Sequence, residues 1–216
     1  MNRIEMKTNA RERIRENRGM AILGMLLPMI VVGAIIGILG GGIALSESPA
    51  FVPIIFIVVI ALIPINIGIF YFYRKLSNTG DASLEDLLKG HKENFAGNLG
   101  NLILMQIFIN LWMLLFIVPG IIKTFSYMMT PFILGDDDIK RGADQPSPIT
   151  LSRVMMDGHK KELFILILSF IGWFILGAIT LNILTIIFVG PYFQLTMANF
   201  YEKVKGNLDE KYLKNA

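Results

Sequence analysis

From Gly19 to Ala44 the chain carries no ionisable side chain, directly after a densely ionic stretch from Met1 to Arg18. A helix rises about 1.5 Å per residue, so roughly 20 apolar residues cross a hydrocarbon layer about 30 Å thick. An uncharged run of this length therefore predicts a membrane-spanning helix. It exceeds the roughly 7–15 residues of a signal-peptide core and follows a long ionic segment, so it is read as a retained first span.

The pattern recurs along the chain. Further apolar runs cover about 51–72, 99–118, 120–134, 163–179 and 181–200, separated by polar stretches. The expected fold is an all-α membrane protein of six transmembrane helices. The spans pair as three hairpins, each preceded by a cytoplasmic amphipathic helix lying at the interface. The 216 residues then form a single membrane domain, in units of about 1–76, 77–135 and 136–216. The charged fraction of 17% is well below the roughly one quarter of a soluble domain, which agrees with this class.

The 20 Lys and Arg set the topology. Six precede the first span, four lie between the second and third (Arg74, Lys75, Lys89, Lys92), five between the fourth and fifth (Lys140, Arg141, Arg153, Lys160, Lys161), and four follow the sixth (Lys203, Lys205, Lys211, Lys214). Only Lys123 remains. Basic residues concentrate in cytoplasmic loops, so both termini are expected on the cytoplasmic side of a bacterial cytoplasmic membrane. A net charge of +3 is too small to argue for nucleic acid. With no cysteine, disulfides and thiolate chemistry are excluded.

An internal repeat is legible. The only two histidines both stand in Gly-His-Lys, at Gly90-His91-Lys92 and Gly158-His159-Lys160. Each follows a short stretch with apolar residues at helical spacing after a potential capping residue, Ser83 or Thr150. The second helix of each pair carries a proline (Pro64, Pro119, Pro191) and a tyrosine towards its inner end (Tyr71, Tyr127, Tyr201).

The stretch Val118-Pro-Gly-Ile-Ile-Lys-Thr-Phe-Ser-Tyr-Met-Met-Thr-Pro-Phe-Ile-Leu resembles the bacterial membrane family catalogued as domain of unknown function 975. So do Leu151-Ser-Arg-Val-Met-Met-Asp-Gly-His-Lys-Lys-Glu-Leu-Phe, Leu168-Ser-Phe-Ile-Gly-Trp-Phe, Pro191-Tyr192 and Ala198-Asn-Phe-Tyr-Glu. The resemblance is looser before Val118, where Arg18 stands at a position usually aromatic in the family. It implies a Gram-positive source and brings no established activity.

Polar residues within the spans are few. Lys123 is the only charged one, and it is read as snorkelling to the outer surface. The sharper alternative is an anion contact beside a helix break at Pro119-Gly120, where freed backbone N–H groups would join the ammonium. Asn66, Gln106, Asn110 and Asn182 are expected to hydrogen-bond between helices, or alternatively to line a polar pathway. The ligand-binding candidates are therefore Lys123, Gly120, Gln106, Asn110 and Asn66. Gly33, Gly37 and Gly41 form a small-residue face that predicts close packing, within the chain or between copies. His91 and His159 are too few for a metal site. Asp136-Asp137-Asp138 lacks the spacing of a calcium loop and is read as a solvated run.

No nucleophile elbow, phosphate-binding loop or HExxH is present. The expectation is thus a non-enzymatic protein needing no cofactor, handling a small substrate, lipid or peptide. Its partners would be the bilayer, a small anion, lipid or peptide ligand, and a second copy or another membrane protein. The rival expectation is an interaction protein, such as an immunity factor against membrane-active peptides or a transporter assembly partner. The near absence of intramembrane charge speaks against ion-coupled transport.

Overall fold

Each of the three expected inward-running segments is interrupted, and these interruptions organise the molecule. The computed structural model describes residues 2–46, 51–142, 144–208 and 212–213. The outer turn around Glu47 and the tail lysines Lys211 and Lys214 lie outside the described residues.

In chain order the helices are α1 (Arg3–Glu16), α2 (Arg18–Ser46), α3 (Phe51–Leu62), α4 (Ile65–Thr79), α5 (Lys89–Lys92), α6 (Phe95–Leu115), α7 (Ile117–Tyr127), α8 (Thr130–Gly135), α9 (Pro148–Met155), α10 (Lys160–Leu168), α11 (Ile171–Ile179) and α12 (Gly190–Lys205). A 3₁₀ turn at Leu84–Leu88 leads into α5, and a π turn at Thr185–Val189 leads into α12. Among the described residues there is no strand, only an isolated bridge between Ile139 and Leu213.

Counted across short turns, five helical runs are long and apolar enough to cross a membrane: Arg18–Gly42, Val52–Thr79, Phe95–Leu115, Ile117–Gly135 and Lys160–Ile179. They coincide with the first five expected spans. The sixth expected span, 181–200, is divided. Leu181 and Asn182 take left-handed backbone conformations (φ 52° and 64°) to turn the chain, and the π turn follows before α12 begins. From 183 onward the backbone stays helical to Lys205, with the π turn widening one stretch of it.

Burial separates the molecule into two zones. Large apolar side chains stand exposed along α2, α3, α6, α7, α10 and α11, including Ile38, Phe56, Leu114, Val118 and Ile179. Exposed aliphatic surface on this scale fits hydrocarbon as solvent. The buried core instead joins α1, α4, α8, α9 and α12, through Met6, Ala10, Phe72, Tyr73, Phe132, Leu151, Tyr192, Phe200 and Tyr201. Phe132 stacks on Tyr201 with ring centroids 5.0 Å apart.

The connections between spans pack onto these inner helices. α1 lies on α12, the 84–92 segment on α4, and α9 on α8 and α7. Backbone meets backbone at the second of these junctions. A Cβ on Gly68 would fall 1.7 Å from the Leu87 carbonyl oxygen, and one on Gly90 2.1 Å from that of Pro64. Only glycine admits such an approach. α1 is fixed by polar bonds: Asn199 donates to the Met6 carbonyl at 3.0 Å while its amide oxygen accepts from Ser77 at 2.6 Å.

Candidate functional site

Proline lacks an N–H donor, so Pro64 cannot continue the hydrogen-bond ladder of α3. The carbonyls freed there find other partners. Asn66 Nδ2 donates to the Ile63 carbonyl at 3.0 Å, and His91 Nε2 lies 3.0 Å from the Ala61 carbonyl, where it serves as donor. His91 is thus a cap on a broken helix, delivered by the segment that packs on the break.

Beside this break opens a groove of about 570 Å³, lined by Asn66, Gln106 and Asn110 with Ile60, Ile63, Phe70, Leu102, Ile103, Met105, Ile107 and Pro131. Gln106 and Asn110 share one face of α6, one turn apart, and Gln106 Nε2 faces Asn110 Oδ1 at 3.4 Å. Three of the five candidate ligand residues therefore converge on one cavity. Its size suits a small organic ligand. The walls are aliphatic, no ionisable side chain lines them, and three amides offer both donors and acceptors. Such a groove can recognise an uncharged polar group on an apolar body.

The remaining two candidates go elsewhere. There is no break at Pro119-Gly120: α7 is continuous there, and the interruptions fall at Phe116 and at Met128–Met129. Gly120 serves packing, since a Cβ on it would meet Met113 Sδ at 2.5 Å. Lys123 places its ammonium 4.7 Å from the centre of the Trp112 ring. It shares a cleft of about 410 Å³ with Ser126, Thr150, Arg153, Asp157 and Lys160, on the side of α9. The helix-break reading of Lys123 is thereby corrected, because α7 runs unbroken through Pro119-Gly120, and the ammonium lies over the last turn of α6.

The break at Met128–Met129 is capped much as the first one is. Ser152 on α9 donates to the Ser126 carbonyl at 2.8 Å and accepts from the Met129 N–H at 3.2 Å. The helix cap of α9 itself is Ser147, which accepts from the Thr150 N–H, so Thr150 is not the capping residue. His159 differs from His91: its Nδ1 lies 3.3 Å from Glu162 and its Nε2 2.8 Å from Asn207. Among the described residues no group of three His, Cys, Asp or Glu is placed to hold a metal ion.

The acidic run is not a solvated loop. Asp136 is completely buried. Its carboxylate meets Arg74 at 2.9 Å and Lys205 at 2.8 Å, and accepts from the Tyr201 hydroxyl at 2.6 Å. Arg74 also reaches Asp138 at 3.2 Å and Glu202, while Lys205 binds Asp138 at 2.7 Å. Asp137 pairs with Lys89 at 2.7 Å. The hydrogen bond from Lys205, reinforced by the charge of Arg74, holds the Asp138 carboxyl below its ordinary range. This network ties α4, the end of α8 and α12 together. Its one trace in the sequence is that Asp136, Arg74 and Lys205 each stand shortly after a proline-bearing apolar run.

Among the described residues the chain is all-helical, and its five helices of membrane-crossing length and apolarity are what a multi-pass membrane protein presents. Residues 117–208 match the family described as "Protein of unknown function (DUF975)". No curated protein and no solved structure matches the chain.

Proposed function

We propose that the protein is a non-enzymatic, six-span protein of the bacterial cytoplasmic membrane that binds an uncharged amphiphile (a lipid, small molecule or apolar peptide) in the groove beside Pro64. The sixth span is the turn-broken 181–200 segment, and both termini are cytoplasmic. The observation that carries the binding is the convergence of Asn66, Gln106 and Asn110 on one apolar cavity. The three amides stand exposed to the groove among apolar side chains, where a ligand headgroup would supply hydrogen-bond partners.

The orientation is supported by contacts among the basic blocks. Arg13 donates to the Ser77 carbonyl, Arg74 pairs with Asp136 and Glu202, and Lys205 with Asp138. Four polar blocks separated by apolar runs thus meet at one end of the bundle, which is the cytoplasmic end by the distribution of positive charge. The three packing junctions, α1 on α12, 84–92 on α4 and α9 on α8, support three hairpin units arranged in a ring.

The test is thermal unfolding of the purified chain in non-ionic detergent against monoacylglycerols, neutral phospholipids and apolar peptides. A ligand of the folded state raises the midpoint with its concentration. The reading expects a rise that Gln106→Leu with Asn110→Leu abolishes and Lys123→Ala leaves in place. A rise indifferent to Gln106 and Asn110 would refute the groove.

A second reading, as an interaction protein such as a peptide-immunity factor or transporter partner, is favoured by one observation. Cβ atoms added at Gly33, Gly37 or Gly41 would meet nothing within 4 Å. Among the described residues nothing packs on the small-residue face. Cross-linking in native membranes that a Gly37→Leu substitution disrupts would support this reading.

A further inference from the structure

We propose that Arg11, Arg15 and Arg18 form a binding site for the phosphate of an anionic phospholipid, separate from the groove. The site rests on the membrane reading above, but not on any ligand at Gln106.

The three arginines stand four and three residues apart across the junction of α1 and α2, and they rim a cavity of about 300 Å³. Its other walls are Ile14, Ile22, Ile187 and Phe188. No acidic residue lines it. Among the described residues none of the three guanidiniums has a carboxylate partner, although the neighbouring Arg13 pairs with Glu16 at 3.2 Å and Arg74 with three acids. Arg11 is held in place over the buried Tyr192 ring, with Cζ 5.2 Å from its centroid.

The chemistry of the two walls selects the ligand. Guanidinium presents paired donors that match phosphate oxygens, and three of them together leave a strong uncompensated positive potential. The opposite wall is aliphatic and aromatic, and Ile22 lies in the first turns of the first membrane-length helix. A free phosphate would use only the arginines. A phospholipid headgroup uses both walls, with its phosphate on the guanidiniums and the start of its acyl chains along Ile22, Ile187 and Phe188. α1 then lies at the surface of the leaflet that holds the anionic lipid.

The experiment uses the full chain in non-ionic detergent, titrated with phosphatidylglycerol, phosphatidylcholine or inorganic phosphate while the unfolding midpoint is followed. Two variants are compared: Arg11→Gln with Arg15→Gln and Arg18→Gln, and a charge-matched control, Arg3→Gln with Lys92→Gln and Lys161→Gln, all exposed and outside the cavity. Phosphatidylglycerol is expected to raise the midpoint more than phosphatidylcholine, by a margin that Gln106→Leu leaves in place, and inorganic phosphate is expected not to raise it. Its apparent affinity should fall about fivefold for each arginine removed and stay unchanged in the control. Equal losses in both variants would show a response to bulk surface charge and overturn the site. A rise from inorganic phosphate equal to that from the lipid would overturn the headgroup assignment. Should the triple variant fail to fold, Arg15→Gln alone carries the test, since that side chain is exposed: a fivefold loss supports the site and no loss overturns it. The Gln106→Leu variant should keep the full margin of phosphatidylglycerol over phosphatidylcholine, which separates failure of this site from failure of the groove.

Discussion

Arg74 on α4 and Asp136 at the end of α8 meet at 2.9 Å, with the carboxylate fully shielded from solvent and the guanidinium also held by Glu202 of α12. Three segments far apart in the chain are locked by one guanidinium and the two carboxylates it pairs with. Removing the Asp136 charge takes a partner from both Arg74 and Lys205, while Asp138 and Glu202 remain. The loss should sit at the low end of the roughly 3–5 kcal/mol of a broken buried pair. Asp136→Asn should therefore lower the unfolding midpoint strongly, and an unchanged midpoint would show that the pair does not hold the inner helices together.

Ser152 should matter out of proportion to its size. Ser152→Ala leaves the Ser126 carbonyl and the Met129 N–H without their partner inside the core. An unsatisfied buried group costs about 1–3 kcal/mol. Hydrogen exchange gives a local readout: the Met129 amide should lose protection in Ser152→Ala, while amides in α2 keep theirs.

His91→Gln should be tolerated better than His91→Leu. Glutamine can still donate to the Ala61 carbonyl freed by Pro64, whereas leucine cannot. The expected difference is about 1 kcal/mol in unfolding free energy. Equal destabilisation by both would indicate that ring packing against Phe95, not the hydrogen bond, is what His91 supplies.

Stability should depend on pH at both extremes. Asp138, its carboxyl held low chiefly by the hydrogen bond from Lys205, stabilises the fold above the ordinary carboxylate range of about 4. That contribution is lost as pH falls below this range, and Asp138→Asn should flatten the acid limb of the profile. Lys89 behaves oppositely. Burial disfavours its charge, but hydrogen bonds to Asp137 and Glu93 outweigh this and raise its pKa. Its contribution is complete below the ordinary lysine value of about 10.4 and disappears as pH rises beyond it. Unfolding midpoints measured across pH for Lys89→Met should lack the alkaline fall.

Glycines of the same helical run type should divide sharply. Gly68→Ala drives a methyl into the Leu87 carbonyl and should destabilise severely. Gly33→Ala meets open space and should be neutral or slightly stabilising, given the better helix propensity of alanine by about 1 kcal/mol. Thermal unfolding of the two variants side by side is sufficient to check this.

The sequence by itself determined where the apolar helices lie, because hydropathy is a local property: the first five expected spans coincide with the five membrane-length helices. It also singled out Asn66, Gln106 and Asn110, since amides in apolar helices are conspicuous whatever they touch. Proline did not locate the breaks: the one expected at Pro119-Gly120 is absent, and one falls at Pro64 instead. Tertiary structure alone decided what each polar group meets. Asp136-Asp137-Asp138 reads as a solvated run until α4 and α12 deliver Arg74 and Lys205 to it. Lys123 turned out to lie over Trp112, Gly120 to pack against Met113, and Ser152 to cap a break 23 residues earlier in the chain. Those outcomes depend on how inner helices are arranged around one another. Hydrogen bonds and ion pairs between distant segments leave no periodicity in the chain that makes them, whereas the demand of a bilayer for apolar side chains is written into every span.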